Sequence, residues 1–306
     1  MGRFRAPMLA TPWPHAFDDD AWSFEPKWDG IRAVLAADGS EPRLYSRSGR
    51  DISGEFPALL GAAPPGAVLD GEIVAVDGAG KPSFQLLQQR GGTSTTARPE
   101  IHYLVFDVLA AGGREITSLG FDDRRARLDD LALGAGATVS DRLIGDGSAL
   151  WVAIVAEDLE GVVAKLRTSP YRAGVRSPAW RKIVHRHTAR VVVGGWLEGS
   201  EGRPVKSLLL GLWSDSTLRY VGSVGSGFDE ASLRSIAGSF AQMSRPESPF
   251  DGGASLPAGS RFVEPVLVAH VEFRNWTEGG ALRHPVFRGF GSEPSDEMTW
   301  AEEGPG

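Results

Sequence analysis

The sequence predicts an α+β protein made of two domains that differ in composition. Up to about residue 187, segments rich in β-branched and apolar residues alternate with short helical patterns, whereas strand patterns dominate from there to about residue 290. A chain of 306 residues with 42% hydrophobic residues can supply a core for each domain. We therefore expect a first domain of antiparallel sheets and helices over residues 1–187, a smaller β-rich domain over residues 188–290, and a disordered acidic tail over residues 291–306.

In the first domain, β-branched and apolar content predicts strands over residues 31–36, 43–46, 68–76, 101–109 and 161–166. Helical patterns cover residues 84–90, 121–133 and 148–160, and Ser83 is placed to cap the first of these helices. Gly161 would lie just past the third helix, where a left-handed turn favours glycine.

In the second domain, strand patterns cover residues 190–197, 205–213, 218–224 and 261–273, and a helix is predicted over residues 229–240. Residues 244–260 are rich in Pro, Gly and Ser and predict a loop. Several short strands and one helix in about a hundred residues fit a small five-stranded barrel of the OB type, and equally another small β-barrel.

Composition excludes several kinds of chemistry. Because the chain has no cysteine, disulfides, thiolate metal sites and cysteine nucleophiles are excluded. No run of 18 apolar residues and no basic segment followed by an apolar run occurs. We therefore expect a cytoplasmic protein that makes no contact with a membrane.

The charge distribution is uneven. The net charge of −7 is unusual for a protein that binds nucleic acid. Acids are concentrated in residues 18–20 and 293–303, whereas residues 172–190 carry many arginines together with lysine and histidine. This basic stretch is either a surface that contacts phosphates or a solvated charged linker.

Residues 25–32, with the sequence Glu-Pro-Lys-Trp-Asp-Gly-Ile-Arg, carry the strongest chemical signal. A lysine amine is nucleophilic only when it is unprotonated, and neighbouring cations lower the pKa of such an amine. Lys27 is the candidate nucleophile, and Arg32, Lys165 and Lys182 are candidates for those cations. The same cations would stabilise negative charge on a phosphate under attack, while Asp29 would hold a sugar hydroxyl or orient the lysine.

Residues 27–32 resemble the first motif of the covalent nucleotidyltransferases, which comprise ATP-dependent DNA ligases, RNA ligases and mRNA capping enzymes. Later motifs of that superfamily are resembled, in the same order, by residues 46–49, 69–72, 103–109, 160–165 and 180–182. Residues 282–287 resemble bacterial DNA ligases related to the ligase module of end-joining enzymes. The resemblance implies an adenylation domain followed by an OB-type domain.

The resemblance also assigns candidate site residues. The catalytic set is Lys27, Arg32, Asp29, Lys165 and Lys182, and the nucleotide-binding set is Glu25, Glu72 and Phe106, with Phe106 stacked on adenine. Arg32 and Arg47 would contact the DNA, and Glu72 and Glu160 would hold Mg²⁺ or Mn²⁺.

The function implied is an ATP-dependent DNA ligase that seals 5′-phosphate/3′-hydroxyl nicks in duplex DNA through a lysyl–AMP intermediate, in DNA repair. Such an enzyme is expected to act as a monomer on nicked duplex DNA, with a repair polymerase or an end-binding protein as candidate partners. Two alternatives stay open: an RNA ligase or capping-type nucleotidyltransferase, and a ligase-fold protein that binds DNA ends with weak or no self-adenylation.

Two departures from the family pattern support the second alternative. Val184 occupies the position of the second lysine of the fifth motif, and residues 291–294 (Gly-Ser-Glu-Pro) replace an Arg-x-Asp-Lys string. In the family, that string orients the pyrophosphate of ATP. Because positive charge is missing where the leaving group is negative, we expect slow self-adenylation.

Overall fold

The computed structural model describes residues 4–78, 82–89, 99–200, 203–229, 236, 238–240 and 242–305. The chain divides into two compact units, Met1–His185 and Arg186–Gly306. Within the described residues, no helix is both long enough and apolar enough to cross a membrane.

The first unit contains two sheets with helices against them. In chain order its elements are β1 (Leu9–Pro12), β2 (Asp18–Pro26), β3 (Ile31–Ala36), β4 (Arg43–Ser46), β5 (Val68–Val76), α1 (Phe84–Gln89), β6 (Glu100–Ala111), β7 (Arg114–Glu115), α2 (Phe121–Asp129), β8 (Ala137–Val139), β9 (Leu143–Asp146), α3 (Gly147–Ala156), β10 (Gly161–Leu166) and β11 (Arg176–Val184). One sheet has the strand order β1-β11-β10-β2-β9, and the other has the order β4-β3-β5-β6-β7 with β8 paired to β6.

The sequence led us to expect antiparallel sheets in the first unit, but two of the strand pairs are parallel. β1 pairs with β11 in parallel, and β6 pairs with β8 in parallel, while the remaining pairings are antiparallel. The predicted helix starts are accurate: Ser83 Oγ accepts a hydrogen bond from the Leu86 amide at 3.4 Å, at the start of α1. Helix α3 ends at Ala156, so Gly161 does not terminate it as predicted but begins β10.

Most of the basic stretch, residues 172–190, is strand and not linker. Residues 176–184 form β11 at the centre of the first sheet's pairing with β1 and β10, and Trp180 within it is buried. A solvated linker would have no reason to bury a tryptophan, so the linker alternative is wrong.

The second unit is built on one antiparallel sheet. Its elements are β12 (His187–Ser200), β13 (Arg203–Ser214), β14 (Thr217–Val224), β15 (Ser244–Arg245), β16 (Ser260–Phe273), β17 (Val286–Phe290) and α4 (Trp300–Glu303). The order is β14-β13-β12-β16-β15, and β17 pairs with β16, so the described residues of this unit form a sheet of six strands where a five-stranded barrel was predicted. The helix predicted over residues 229–240 lies largely outside the described residues.

The end of the chain differs from the disordered acidic tail that its composition predicts. Met298 is fully buried in the core of the second unit, and its carbonyl accepts a hydrogen bond from the Trp213 amide at 2.9 Å. Arg190 forms an ion pair with Glu303 at 2.6 Å. The segment contains apolar residues between its acids, and these pack against the sheet. The acidic composition on which the prediction was based does not show them.

Candidate active site

Successive side chains of a strand point to opposite faces of the sheet, and in the first sheet several polar side chains share one face. On β10, Ala164 packs in an apolar core while Lys165 points to the opposite face, because successive strand side chains alternate. On β2, Phe24 joins the same core as Ala164, and Glu25 points to the face that carries Lys165. Trp180 on β11 lies on that face as well.

The second sheet presents a matching face. Leu35 of β3 and Ile73 of β5 belong to a core on its far side, while Arg32, Glu72 and Phe106 project toward the first sheet. In the register of β3 and β5, Arg32 is directly opposite Glu72. Strands that are far apart in the sequence therefore bring their charged residues to one place.

Between the two faces lies a cavity of about 630 Å³, which is within the ~300–1,000 Å³ usual for small-molecule sites. The structure brings all of the site residues predicted from the sequence into its lining, namely Glu25, Lys27, Asp29, Arg32, Arg47, Glu72, Phe106, Glu160, Lys165 and Lys182. Leu9, Ala10, Val163 and Trp180 add apolar surface.

Lys27 lies in the loop that joins β2 to β3, and its ammonium is paired with the Glu160 carboxylate. The Lys27 amide donates a hydrogen bond to the Gly161 carbonyl at 2.8 Å, which fixes this loop beside the start of β10. A Cβ on Gly161 would lie 2.1 Å from the Ile183 carbonyl oxygen, so glycine is required for this close approach. Glu160 thereby reaches Lys27.

Glu72 is a partly buried carboxyl close to Lys27. Burial raises the pKa of Glu72 to about 8, against the opposing influence of Lys27 and Arg32, and Glu160 and Asp70 add to the increase. Two carboxyl groups, those of Glu72 and Glu160, thus line one cavity, and burial favours the protonated form of Glu72 in spite of the nearby cations. Oxygen ligands of this kind suit Mg²⁺ or Mn²⁺, so the residues fit a divalent ion.

Arg32 is fixed by a buried acid. Its Nε and Nη2 donate to the two carboxylate oxygens of Asp70 at 3.1 and 2.7 Å, and the Tyr171 hydroxyl donates to Asp70 at 2.6 Å. Burial opposes the charge of Arg32, but the pairing with Asp70 outweighs it and raises the Arg32 pKa. Its guanidinium lies 5.4 Å from the Phe106 ring centre and 5.5 Å from that of Trp180. Nη1 is left outside the ion pair.

The sequence analysis expected Lys165 to be one of the cations around Lys27. In the structure, Lys165 instead forms an ion pair with Glu25 at 2.6 Å. Arg125 of α2 approaches the other oxygen of Glu25 at 3.4 Å. Burial raises the pKa of Glu25 and lowers the pKa of Lys165. Both side chains are almost fully buried at the base of the cavity.

Lys182 and Arg47 lie on the other side of the cavity. Burial, followed by the nearby charges of Lys27 and Arg176, lowers the pKa of Lys182. Arg47 is exposed, in a turn after β4 that is held by the hydrogen bond from its amide to the Arg32 carbonyl at 3.1 Å. These are the cations best placed to meet an incoming phosphate.

Sequence reasoning missed the residues that hold the site in place. Asp70, Tyr171 and Arg125 were assigned no role, yet each bonds a predicted site residue. Asp70 had a readable signal, because it lies two residues before Glu72 in a strand and so shares its face. Tyr171 and Arg125 gave no such signal, because each is at least 100 residues away in the sequence from the partner that it bonds.

The residues that depart from the family pattern are occupied with other contacts. Val184 pairs with Gly161 in the ladder between β10 and β11. In the second unit, Glu293 contacts His270 at 3.0 Å, and Arg288, the arginine nearest in sequence to the altered string, forms an ion pair with Glu272 at 2.6 Å.

Two family models match the chain. Residues 7–183 match the ATP dependent DNA ligase domain, and residues 201–293 match the ATP dependent DNA ligase C terminal region. The fold and the site thus define a ligase of the nucleotidyltransferase type. The chain belongs to the ATP-dependent DNA ligase family, as its motifs predicted, and both matching models describe DNA ligases.

Similar proteins agree with this assignment. The multifunctional non-homologous end joining DNA repair protein LigD of Mycobacterium tuberculosis is 40% identical over 295 residues, which cover 93% of this chain and 38% of that protein. The chain therefore spans well under half the length of these relatives. The DNA ligase-like protein LigB of Bacillus subtilis is 29% identical and is covered over 98% of its length.

Solved structures confirm the α+β ligase fold. A mycobacterial DNA ligase D complexed with ATP and MES is 37% identical, with a TM-score of 0.56, over 96% of this chain and 98% of that one. The ligase domain of M. tuberculosis LigD gives 36% identity and a TM-score of 0.55, over 98% and 97% of the two chains.

Proposed function

We propose that this chain seals 5′-phosphate/3′-hydroxyl nicks in duplex DNA, with ATP as the adenylate donor and a lysyl–AMP intermediate on Lys27. The observation that carries the proposal is the meeting of Lys27, Glu72, Phe106 and Glu160 in one cavity, in a chain of the ATP-dependent DNA ligase family. The complex of a similar mycobacterial ligase with ATP supports ATP as the nucleotide.

In the first step, the Lys27 amine attacks the α-phosphorus of ATP. The ammonium leaves its ion pair with Glu160 and gives up a proton to water, to which 24% of its side chain is exposed. A nitrogen–phosphorus bond forms while the bond from the α-phosphorus to the bridging oxygen breaks, and pyrophosphate leaves with the electron pair. Phe106 offers a ring face to the base, and Lys182 meets the phosphates with its charge.

Glu72 and Glu160 are the residues that would hold Mg²⁺ or Mn²⁺. Such an ion neutralises phosphate oxygens and so favours attack by the amine. Glu72 would then be ionised, because a positive charge beside a carboxyl lowers its pKa.

In the second step, an oxygen of the 5′-phosphate at the nick attacks the adenylyl phosphorus, the bond to Lys27 breaks, and the amine takes up a proton. In the third step, the 3′-hydroxyl oxygen attacks the activated 5′-phosphorus, a phosphodiester bond forms, and AMP leaves. Arg47 and Arg32 Nη1, which lies outside the ion pair with Asp70, would hold the nick phosphate, and Asp29 lines the same cavity. Contacts to the backbone predict little dependence on base sequence.

The biological setting is proposed from the relatives. The name of LigD describes an end-joining DNA repair protein, so we assign this chain to repair. That it acts on nicked duplex DNA, as a monomer and in the cytoplasm, is proposed from the sequence alone. A repair polymerase or an end-binding protein is the partner class that such a setting implies.

Intact-protein mass spectrometry after incubation with ATP and Mg²⁺ tests the first step. The wild type is expected to gain one adenylyl group, and Lys27→Ala to gain none. Lys206→Ala, which removes an exposed lysine of the second unit, is the matched control and should react like the wild type. Nicked DNA with a labelled 5′-phosphate then reports sealing.

One observation favours a second candidate, a ligase-fold protein that binds DNA ends without chemistry. Positive charge is absent at Val184 and at residues 291–294, where the family pattern has it. A wild type that gains no adenylyl group but still shifts nicked DNA in a gel would establish this second candidate and end the first.

A further inference from the structure

The ammonium of Lys165 is enclosed at the base of the cavity, where the side chain is only 2% exposed. Its Nζ donates to the Phe106 carbonyl at 3.1 Å and lies 2.6 Å from Glu25 Oε2. Three aromatic rings surround the same nitrogen, with ring centres at 4.4 Å for Phe106, 4.5 Å for Trp180 and 4.9 Å for Phe121. Two of the three donors of this ammonium meet oxygen acceptors, and the rings enclose the nitrogen, so it is not exposed to a phosphate.

The partners of Lys165 are the residues that would meet a nucleotide base. Glu25 lines the cavity and is 2% exposed, so its carboxylate is an acceptor in a site shielded from water. Phe106 lines the cavity as well and supplies the aromatic face. One lysine thus bonds both the acceptor and the strand that carries the ring.

From this geometry we propose that Lys165 is a positioning residue for base selection, and this inference rests on the proposed function above. By holding the Glu25 carboxylate charged and in place, Lys165 makes the base of the cavity a fixed acceptor. An acceptor favours a purine with an amino group at its six position and disfavours one with an oxo group there. Lys165 acts through Glu25 and Phe106 and does not touch the reacting phosphorus.

The charged groups around Glu25 show what the loss of Lys165 would do. Lys165 of β10 and Arg125 of α2 favour the ionised carboxyl, while Asp107 of β6 opposes it and is itself paired with Arg124 at 2.8 Å. Of the two cations that act on Glu25, only Arg125, at 3.4 Å, would remain if Lys165 were removed. The buried carboxyl would then bind a proton more readily and become a donor, which suits an oxo purine.

The experiment compares initial rates of self-adenylation and self-guanylation of the full chain, with ATP or GTP and Mg²⁺. Lys165→Met keeps the apolar length and removes the charge. We expect it to raise KM for ATP by roughly tenfold, with a smaller change in kcat, and to lower the preference for ATP over GTP by roughly tenfold. Lys165→Arg should restore part of the preference, and Lys206→Met, the matched surface control, should leave it unchanged.

The pH profile separates positioning from simple packing. In Lys165→Met, the preference for ATP is expected to recover as pH rises and Glu25 loses its proton, whereas the wild-type preference should change less. A residue that only fills space would alter the free energy of unfolding but not the ratio of the two nucleotides. A Lys165→Met protein with the wild-type ratio and KM would overturn the inference.

A second variant covers the case in which Lys165→Met does not fold. Lys165→Met/Glu25→Gln removes both charges of the buried pair, and such a replacement is often tolerated. It should show the reduced ATP preference of Glu25→Gln alone, and a wild-type preference in it would contradict the inference. A wild type that gains no adenylyl group would instead reject the proposed function, so the two failures are distinguishable.

Discussion

Replacing Asp70 with asparagine tests whether the geometry of Arg32 depends on one buried acid. Asp70 is fully buried and accepts from Arg32 Nε, Arg32 Nη2 and the Tyr171 hydroxyl. Asp70→Asn keeps the shape, but it removes the charge and turns one acceptor into an amide donor that faces other donors. Removing one partner of a buried ion pair costs ~3–5 kcal/mol. Because the Arg32 side chain is 16% exposed, water recovers part of this, and we expect about 3 kcal/mol.

An exposed pair in the same unit supplies the control. Asp51 pairs with Arg43 at 3.2 Å, and its other oxygen accepts from the Ser53 amide, a bond that asparagine retains. Asp51→Asn should cost no more than ~1 kcal/mol, as is usual for surface ion pairs.

Native-state hydrogen exchange of the β3 and β5 amides measures the opening free energy of this unit for each variant. Arg32→Met/Asp70→Asn completes a double-mutant cycle, and the double variant should lose less than the sum of the two single variants, because it leaves no unpaired charge. If Asp70→Asn costs no more than Asp51→Asn, or if the two single losses add, the reasoning about this ion pair is wrong.

Two further predictions concern the nucleophile and its surroundings. Gly30→Ala places a Cβ 2.2 Å from the Ile73 carbonyl oxygen and so displaces the loop of Lys27, which should lower the single-turnover rate of adenylation by ~100-fold. Gly54→Ala, where a Cβ meets nothing within 4 Å, should react like the wild type, and an equal loss in both variants would refute the steric argument. Because burial lowers the pKa of Lys182 from 10.5, KM for ATP should rise as alkaline pH removes its charge. Lys182→Arg should keep a flat profile, and coincident profiles would contradict the assignment.

Strands with β-branched runs could be predicted from the sequence to the residue. Residues 31–36, 43–46 and 68–76 were expected as strands, and the structure has β3, β4 and β5 within those bounds. Strands β2 and β11 were not predicted. β2 begins with three aspartates and β11 contains Pro178, residue types that are depleted in strands, so pairing with neighbours and not local preference forms them.

The membership of the site could be predicted, but its pairing could not. Motif residues were expected to meet, and they line one cavity. Sequence spacing placed Arg32, Lys165 and Lys182 around Lys27 as equivalent cations. In the structure the three are not equivalent, because Arg32 forms an ion pair with Asp70 and Lys165 forms one with Glu25. Which acid neutralises which cation depends on strand register, and spacing along the chain does not reveal register.

That pairing determines which charges are available to ATP. Lys27, Arg32 and Lys165 each have an acidic partner, which is Glu160, Asp70 and Glu25 respectively. Three cations of the lining, Lys182, Arg47 and Arg176, make no ion pair with any residue that the structure describes.

These three cations lie in the first unit and stay available to a phosphate. Lys182 and Arg47 belong to motifs that the family shares, so they do not replace the charge missing at Val184 and residues 291–294. Lys27, the proposed nucleophile, is paired with Glu160 and would react only when that pair opens. Glu160→Gln would then release Lys27 but weaken the hold on a divalent ion, so its adenylation should become strongly dependent on Mg²⁺ concentration. An unchanged Mg²⁺ dependence in that variant would show that Glu160 does not link the nucleophile to the metal.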